Sequence, residues 1–170
     1  PTRRSSDLGA SAATAEFRVG NGQDTSKWPE GIGLCATFDP EICMKFAQIA
    51  SREYRAMGIT TALSPQIDLA TDPRWMRFAD TFGEHTQLSI DMTRAYCDGM
   101  QTSIDPLNAD SFQGPEPGWG VYSVSTMAKH WPGGGTGEAG RDAHYAYGKY
   151  AVYPGNNFEE HLKPFIQGAF

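Results

Sequence analysis

Residues 59–77 read ITTALSPQIDLATDPRWMR. Ile59 to Ser64 form a short run of apolar, β-branched and small residues, which predicts a buried strand closed by Pro65. The stretch from Gln66 to His85 then reads as a long polar and aromatic loop. A helix is predicted immediately before the strand. Asp39 suits its N-cap, Pro40 its first position and Glu41 the positive end of its dipole, and Gly58 is placed to stop it. Ile42, Phe46, Ile49, Ala50, Glu53 and Met57 recur at helical spacing, so Glu53 on that face needs a partner such as an Arg or a backbone N–H.

The same unit returns downstream. Thr86–Gln101 is predicted helical, with Leu88, Met92, Ala95, Tyr96 and Gly99 on one face. Residues 102–118 are dense in turn signals and read as an excursion, and Val121 to Ala128 (VYSVSTMA) reads as a second strand. That strand ends in Lys129-His130 and a glycine-rich loop, WPGGGTGEAGRD. A last helical region is expected near Asn157, broken into a turn with a new start at Pro164.

Helix, strand, loop, helix, strand, loop, helix is the order of an α/β fold with a parallel sheet and helical crossovers. Each strand feeds a loop rich in charged and aromatic residues, as at the C-terminal face of a (β/α)8 barrel. Two strands are too few to close a barrel. The expectation is therefore a partial (β/α)8 TIM-type barrel, truncated at both ends. Pro1 to Leu8 (PTRRSSDL) resemble the in-frame translation of the end of a short-read sequencing adapter and are set apart from the fold, which leaves residues 9–170 as one partial domain. Residues 9–30 read as a Gly-rich loop with Trp28-Pro29 as its landmark.

Composition narrows the function. The 170 residues are 39% apolar and 20% charged, which is globular rather than disordered. The formal charge of −6 comes with no Lys/Arg run, which argues against a nucleic-acid partner. No apolar stretch approaches a membrane span, and no secretory signal is visible. Cys35, Cys43 and Cys97 form neither CxxC nor an even set, so buried free thiols are expected. His85, His130, His144 and His161 show no metal-ligand spacing, GGGTGE lacks the Gly-Lys-Ser/Thr ending of a phosphate loop, and no GxSxG elbow is present. No cofactor is expected.

Three groups can carry chemistry. In Asp72-Pro73-Arg74-Trp75-Met76-Arg77, two guanidiniums flank an indole, a combination suited to sugar hydroxyls and the C–H face of a pyranose. Spacing alone favours an Asp–Arg loop clamp with a buried Trp. Lys129-His130 places a cation and an imidazole at a strand end, where burial without a partner is costly. A cavity-facing site and a strand that merely surfaces there fit equally well. Gly137 to Asp142 (GEAGRD) lets Arg141 reach into a pocket, although a solvated, salt-bridged loop is the simpler reading.

Taken together and in order, these groups resemble glycoside hydrolase family 3. The chain matches the family's aP-x-x-D-x-x-x-DPRWGR segment at Ser64-Pro65-Gln66-Ile67-Asp68 and Asp72 to Arg77, and its Lys-His pair at Lys129-His130. Gly83-Glu84-His85, Gly99-Met100-Gln101, Gly140-Arg141-Asp142, Tyr153-Pro154-Gly155 and Leu162-Lys163-Pro164-Phe165 extend the likeness over residues 28–170. Three positions depart from the family pattern: Met76 replaces Gly, His85 replaces an acidic residue, and Ala139 interrupts a Gly-Gly run.

The resemblance implies a fragment of a retaining β-glucosidase-like enzyme that acts on β-linked oligosaccharides or aryl and alkyl β-glycosides. It implies that Arg77, Lys129 and His130 hold hydroxyls of one sugar ring, with Arg141 in a similar part and with Asp72 and Arg74 structural. It places the nucleophile and the general acid/base outside this chain, so the isolated chain is expected to be inactive without the rest of its barrel and the following domain. Family members are often periplasmic or secreted. Two rival readings remain: a non-catalytic carbohydrate-binding α/β module, and an unrelated α/β protein that binds phosphate through GGGTG.

Overall fold

The computed structural model describes residues 26–101 and 119–170. The expectations for Pro1–Leu8, for the loop before residue 26 and for the 102–118 excursion lie outside the described residues. In chain order the elements are α1 (Gly31–Cys35), α2 (Pro40–Ala56), β1 (Thr61–Ala62), α3 (Thr86–Gln101), β2 (Ser125–Thr126) and α4 (Phe158–Lys163), which continues as a π-helical turn over Pro164–Ala169.

Helix α2 begins as its sequence dictates. Asp39 Oδ1 accepts the Glu41 N–H at 2.9 Å, and Pro40 occupies the first turn. Gly58, at φ +76°, lets the chain leave the helix. The buried face keeps the predicted Phe46 and Ala50 but is rotated from the predicted one. Cys43, Phe46, Ala47, Ala50, Ser51 and Tyr54 point inward, while Ile42 and Met57 are exposed. The helix is turned so that its small residues meet α3, and a Cβ on Gly99 would lie only 2.6 Å from the Ala47 Cβ. Close approach of the two backbones outweighs burial of the larger Ile42 and Met57. Ser51 Oγ donates to Met100 O across the same contact at 2.8 Å. Glu53 finds its partner in Ser26, whose N–H donates to it at 2.8 Å.

Helix α3 spans Thr86–Gln101 as predicted. It is buried on more than one face, because α2 packs on one side and the π-helical turn packs on another, with Gly168 against Thr93. The chain does not turn and restart at Pro164. Lys163 and Pro164 both keep helical dihedrals, and the path widens into the π-helical turn. A wider turn moves the carbonyl that the proline ring would otherwise strike.

Both strands exist and pair in parallel, with Thr61 opposite Ser125 and Ala62 opposite Thr126. They are shorter than predicted. Met127 N–H is shared between Ala62 O at 3.0 Å and Ser64 O at 2.9 Å, so the regular ladder ends there, and Val121 is 77% exposed. Pairing resumes at the isolated bridge between Gln66 and Lys129. The described residues hold these two parallel strands and no closed barrel. The 66–85 segment is not the solvent-facing loop its polarity suggests. Gln66, Ile67, Asp68, Leu69, Ala70, Trp75, Thr81 and Phe82 are all buried. The three cysteines are free and buried, as expected. Burial raises their thiols, with Cys35 and Cys97 pushed up to about 11 and Cys43 to about 12.

Candidate functional site

The two segments that follow β1 and β2 run side by side and place their charged residues together. Lys129 N–H donates to Pro65 O at 3.0 Å, and Ile67 N–H donates to Lys129 O at 2.7 Å. This seats Lys129-His130 beside Gln66-Ile67-Asp68. The peptide bonds Ser64–Pro65 and Lys129–His130 are cis.

Asp68 is the anchor. Its side chain is fully buried, and both oxygens are engaged. Oδ1 accepts the Gly134 N–H at 2.6 Å; Oδ2 accepts the His130 N–H at 3.1 Å and meets the His130 Nδ1 at 2.9 Å. Gly134 is required here, since a Cβ at that position would sit 2.9 Å from Asp68 Oδ1 and 3.1 Å from the Trp75 ring. A carboxylate can only accept, so His130 donates through Nδ1. In the neutral ring, Nε2 is then an acceptor, and Arg77 Nη1 lies 3.0 Å from it. Arg77 Nη2 donates to Gln66 Oε1 at 2.6 Å, and Gln66 Nε2 donates back to Arg77 O at 3.0 Å. The result is a continuous chain, Asp68–His130–Arg77–Gln66, that fixes one imidazole and one guanidinium at the end of the strand pair.

Lys129 is half-buried beside this chain. Burial and the neighbouring Arg77 cation lower its pKa, while Asp80 and Asp68 act in the opposite direction. Of the four residues singled out in the sequence, Arg77, Lys129 and His130 come together. Arg141 does not join them. It is exposed, and its guanidinium faces Glu138 at 3.9 Å. Ala139, between them, sits at φ +58°, a left-handed conformation that costs an alanine about 1 kcal/mol more than glycine.

The Asp72–Arg74 clamp forms as spacing suggested. Arg74 Nε and Nη2 reach Asp72 Oδ1 and Oδ2 at 2.9 and 2.7 Å, and hydrogen bonds from Arg74 lower the Asp72 carboxyl to about 2. Trp75 is only 2% exposed, so its ring is no sugar platform. Its indole N–H donates to Asp142 Oδ2 at 2.8 Å.

Asp142 closes the GEAGRD group and His144 follows it, but the sequence assigned neither a role in the site. Asp142 Oδ1 accepts the His144 N–H at 2.9 Å and meets His144 Nδ1 at 2.6 Å. Burial alone would raise the Asp142 carboxyl, but the hydrogen bonds from His144 and Trp75 bring it down to about 2. The His144 ring stands edge-on to His130 with centroids 6.5 Å apart. The sequence signal, an Asp two residues before a His, is too common to find this pair without the fold. The two buried aspartates among the described residues, Asp68 and Asp142, each orient an imidazole.

Residues 11–169 match the sequence model of the glycosyl hydrolase family 3 N terminal domain. The periplasmic beta-glucosidase/beta-xylosidase of Dickeya chrysanthemi is 48% identical over 145 residues, 85% of this chain and 20% of that protein. Beta-glucosidase C of Emericella nidulans is 46% identical over 140 residues, 82% of this chain and 21% of that protein. The chain thus spans about a fifth of the length of these curated relatives. Among solved structures, a beta-glucosidase from Erythrobacter marinus superposes with a TM-score of 0.60 at 26% identity, over 71% of this chain and 15% of that one. A mutant beta-glucosidase from Listeria innocua in complex with laminaribiose gives 0.58 at 28% identity, over 69% and 15%. With a family match across nearly its whole length, this chain belongs to glycosyl hydrolase family 3, within the family's N-terminal domain.

Proposed function

We propose that this chain is part of a (β/α)8 barrel in a retaining β-glycosidase, and that it supplies one side of the pocket for the non-reducing terminal sugar. The observation that carries the proposal is the gathering of Arg77, Lys129 and His130 at one end of the parallel strand pair, with His130 held between Asp68 and Arg77. Fixed donors of this kind hold ring hydroxyls without reacting. Hydrogen bonds that strengthen as the ring takes on oxocarbenium character lower the barrier. Arg77 still has N–H groups beyond those given to His130 and Gln66, and Lys129 has three donors. His130, with both ring nitrogens engaged, then serves to aim Arg77. Arg141, paired with Glu138 on an exposed turn, takes a lesser part, reaching substrate only if that turn moves.

Retaining hydrolysis needs a nucleophilic carboxylate and a second carboxyl that protonates the leaving oxygen and then activates water. Both are proposed to come from elsewhere in the parent protein. Named relatives act on β-glucosides and β-xylosides, which supports the same substrate class here. The test is release of nitrophenol from aryl β-glucoside, β-xyloside and β-N-acetylglucosaminide by the product of the longer open reading frame. Turnover of one of them is expected and names the sugar. A folded protein that turns over none would leave the carbohydrate-binding module as the better reading.

A further inference from the structure

The glycine-rich loop that brings Gly134 to Asp68 is held from outside the Asp68–His130–Arg77–Gln66 chain. Downstream residues run back along it. Glu138 N–H donates to Tyr150 O and Val152 N–H donates to Thr136 O, both at 2.9 Å, and Gly137 pairs with Ala151 in an antiparallel bridge. This run sets Tyr153 against the start of the loop, where its hydroxyl donates to Pro132 O at 3.1 Å. The Tyr153 ring is fixed on two sides, edge-to-face with Phe158 and with His161, each with centroids 5.0 Å apart. His161 is only 2% exposed, so that contact is part of the packed interior. Gly133 is fitted to the same hydroxyl: its φ is +107°, and a Cβ there would lie 2.5 Å from Tyr153 Oη. Burial and the Asp68 charge raise the Tyr153 phenol, which keeps it a neutral donor near neutral pH. The loop's own backbone bonds are long here, 3.3 Å from Thr136 N–H to Gly133 O and 3.4 Å from Gly137 N–H to Gly134 O. Its position therefore depends on side-chain tethers, Tyr153 on Pro132 and Trp131 edge-on to Phe165.

We infer that Tyr153 is a positioning residue for the sugar site: by pinning Pro132-Gly133 it seats the Gly134 N–H on Asp68, and through Asp68 and His130 it sets the aim of the Arg77 guanidinium. The route is a run of single contacts. Gly134 N–H holds Asp68 Oδ1, which turns Oδ2 toward the His130 N–H and Nδ1, and His130 Nε2 meets Arg77 Nη1. If Oδ1 is released, the carboxylate can turn about its terminal torsion, which is a soft one. The imidazole then loses its fixed partner. No atom of Tyr153 has to touch the substrate. The inference rests on the reading of Arg77, Lys129 and His130 as the sugar site.

The experiment uses the product of the longer open reading frame and an aryl β-glycoside that it turns over. Y153F removes the hydroxyl and keeps the ring contacts with Phe158 and His161. It is made in three backgrounds: wild type, H130A, which cuts the route between Asp68 and Arg77, and K129A, which removes an ammonium that is not on the route. In the wild type and in K129A, Y153F is expected to lower kcat/KM about fivefold, the scale of one lost hydrogen bond. In H130A it should change kcat/KM by less than about twofold, because the two residues act in one network. A smaller folded fraction would lower all three backgrounds alike, so an equal loss in H130A overturns the positioning role. No loss in the wild type, or a loss that also shrinks in K129A, overturns it as well. H130A and K129A proteins that both keep the wild-type rate would instead overturn the sugar-site reading, an outcome visible before Y153F is introduced.

Discussion

His130 is gripped from both sides, by the Asp68 carboxylate at Nδ1 and by the Arg77 guanidinium at Nε2. This was half legible in the sequence. Lys129-His130 at a strand end signalled expensive groups that need partners, and the family likeness named Arg77. What could not be read was that Gln66 and Asp68, the first and third residues of an apparently polar loop, are buried and supply the partners. Their hydrogen bonds join residues 11 and 62 positions apart, respectively, and only the fold brings such positions together. Asp142 shows the same limit, and it gives a pH prediction. Its folded pKa of about 2 lies below that of a free carboxyl near 3.9, so the stabilisation it brings is in place above about pH 4 and is lost as pH falls toward 2. Chemical denaturation of the longer gene product between about pH 5 and 2 should therefore show a steeper loss of stability in the wild type than in Asp142→Asn.

At the scale of elements, helices were far more legible than strands. α3 keeps both predicted ends, and α2 begins at the predicted proline, because caps and 3.6-residue periodicity are local signals. The facing of α2 departs in part from its hydrophobic periodicity because side-chain volume, not hydrophobicity alone, sets it. The helix turns its small residues, not its largest apolar ones, toward α3. Gly99 is the reason, since any side chain there meets Ala47 Cβ at 2.6 Å and Met44 O at 2.7 Å. Gly99→Ala should destabilise the folded protein by about 1–3 kcal/mol through overpacking. The midpoint of thermal unfolding of the longer gene product measures this, and Ala47→Gly in the same protein should restore part of the loss. The strands were predicted too long because a strand's length is set by its neighbours. β1 and β2 pair with one another over two residues, and the bifurcated bond at Met127 ends the ladder.

Among the described residues, a helical layer, α2 and α3 with the π-helical turn, packs on a pair of parallel strands. The order of elements predicted an α/β chain with parallel strands, and both strands and helices are present in that order. A closed sheet is not present among the described residues. Among the described residues each short strand pairs on one side only, leaving an edge that a longer sheet would cover. The 170-residue chain by itself should therefore unfold without a sharp transition, whereas the longer gene product should melt cooperatively. Differential scanning calorimetry distinguishes the two, and a cooperative peak for the isolated chain would show that the helical layer and strand pair suffice as a folding unit.

The central claim is that Arg77, Lys129 and His130 hold the sugar that is cleaved. The most direct measurement is kcat/KM on an aryl β-glycoside that the longer gene product turns over, for the wild type and for Lys129→Ala. Lys129 is the variant of choice because its ammonium takes no part in the hydrogen bonds of the Asp68–His130–Arg77–Gln66 chain, and alanine keeps the backbone bonds to Pro65 and Ile67. A fall of at least about tenfold, roughly 1.4 kcal/mol at the transition state, is expected. Equal kinetics in the two proteins would contradict the account.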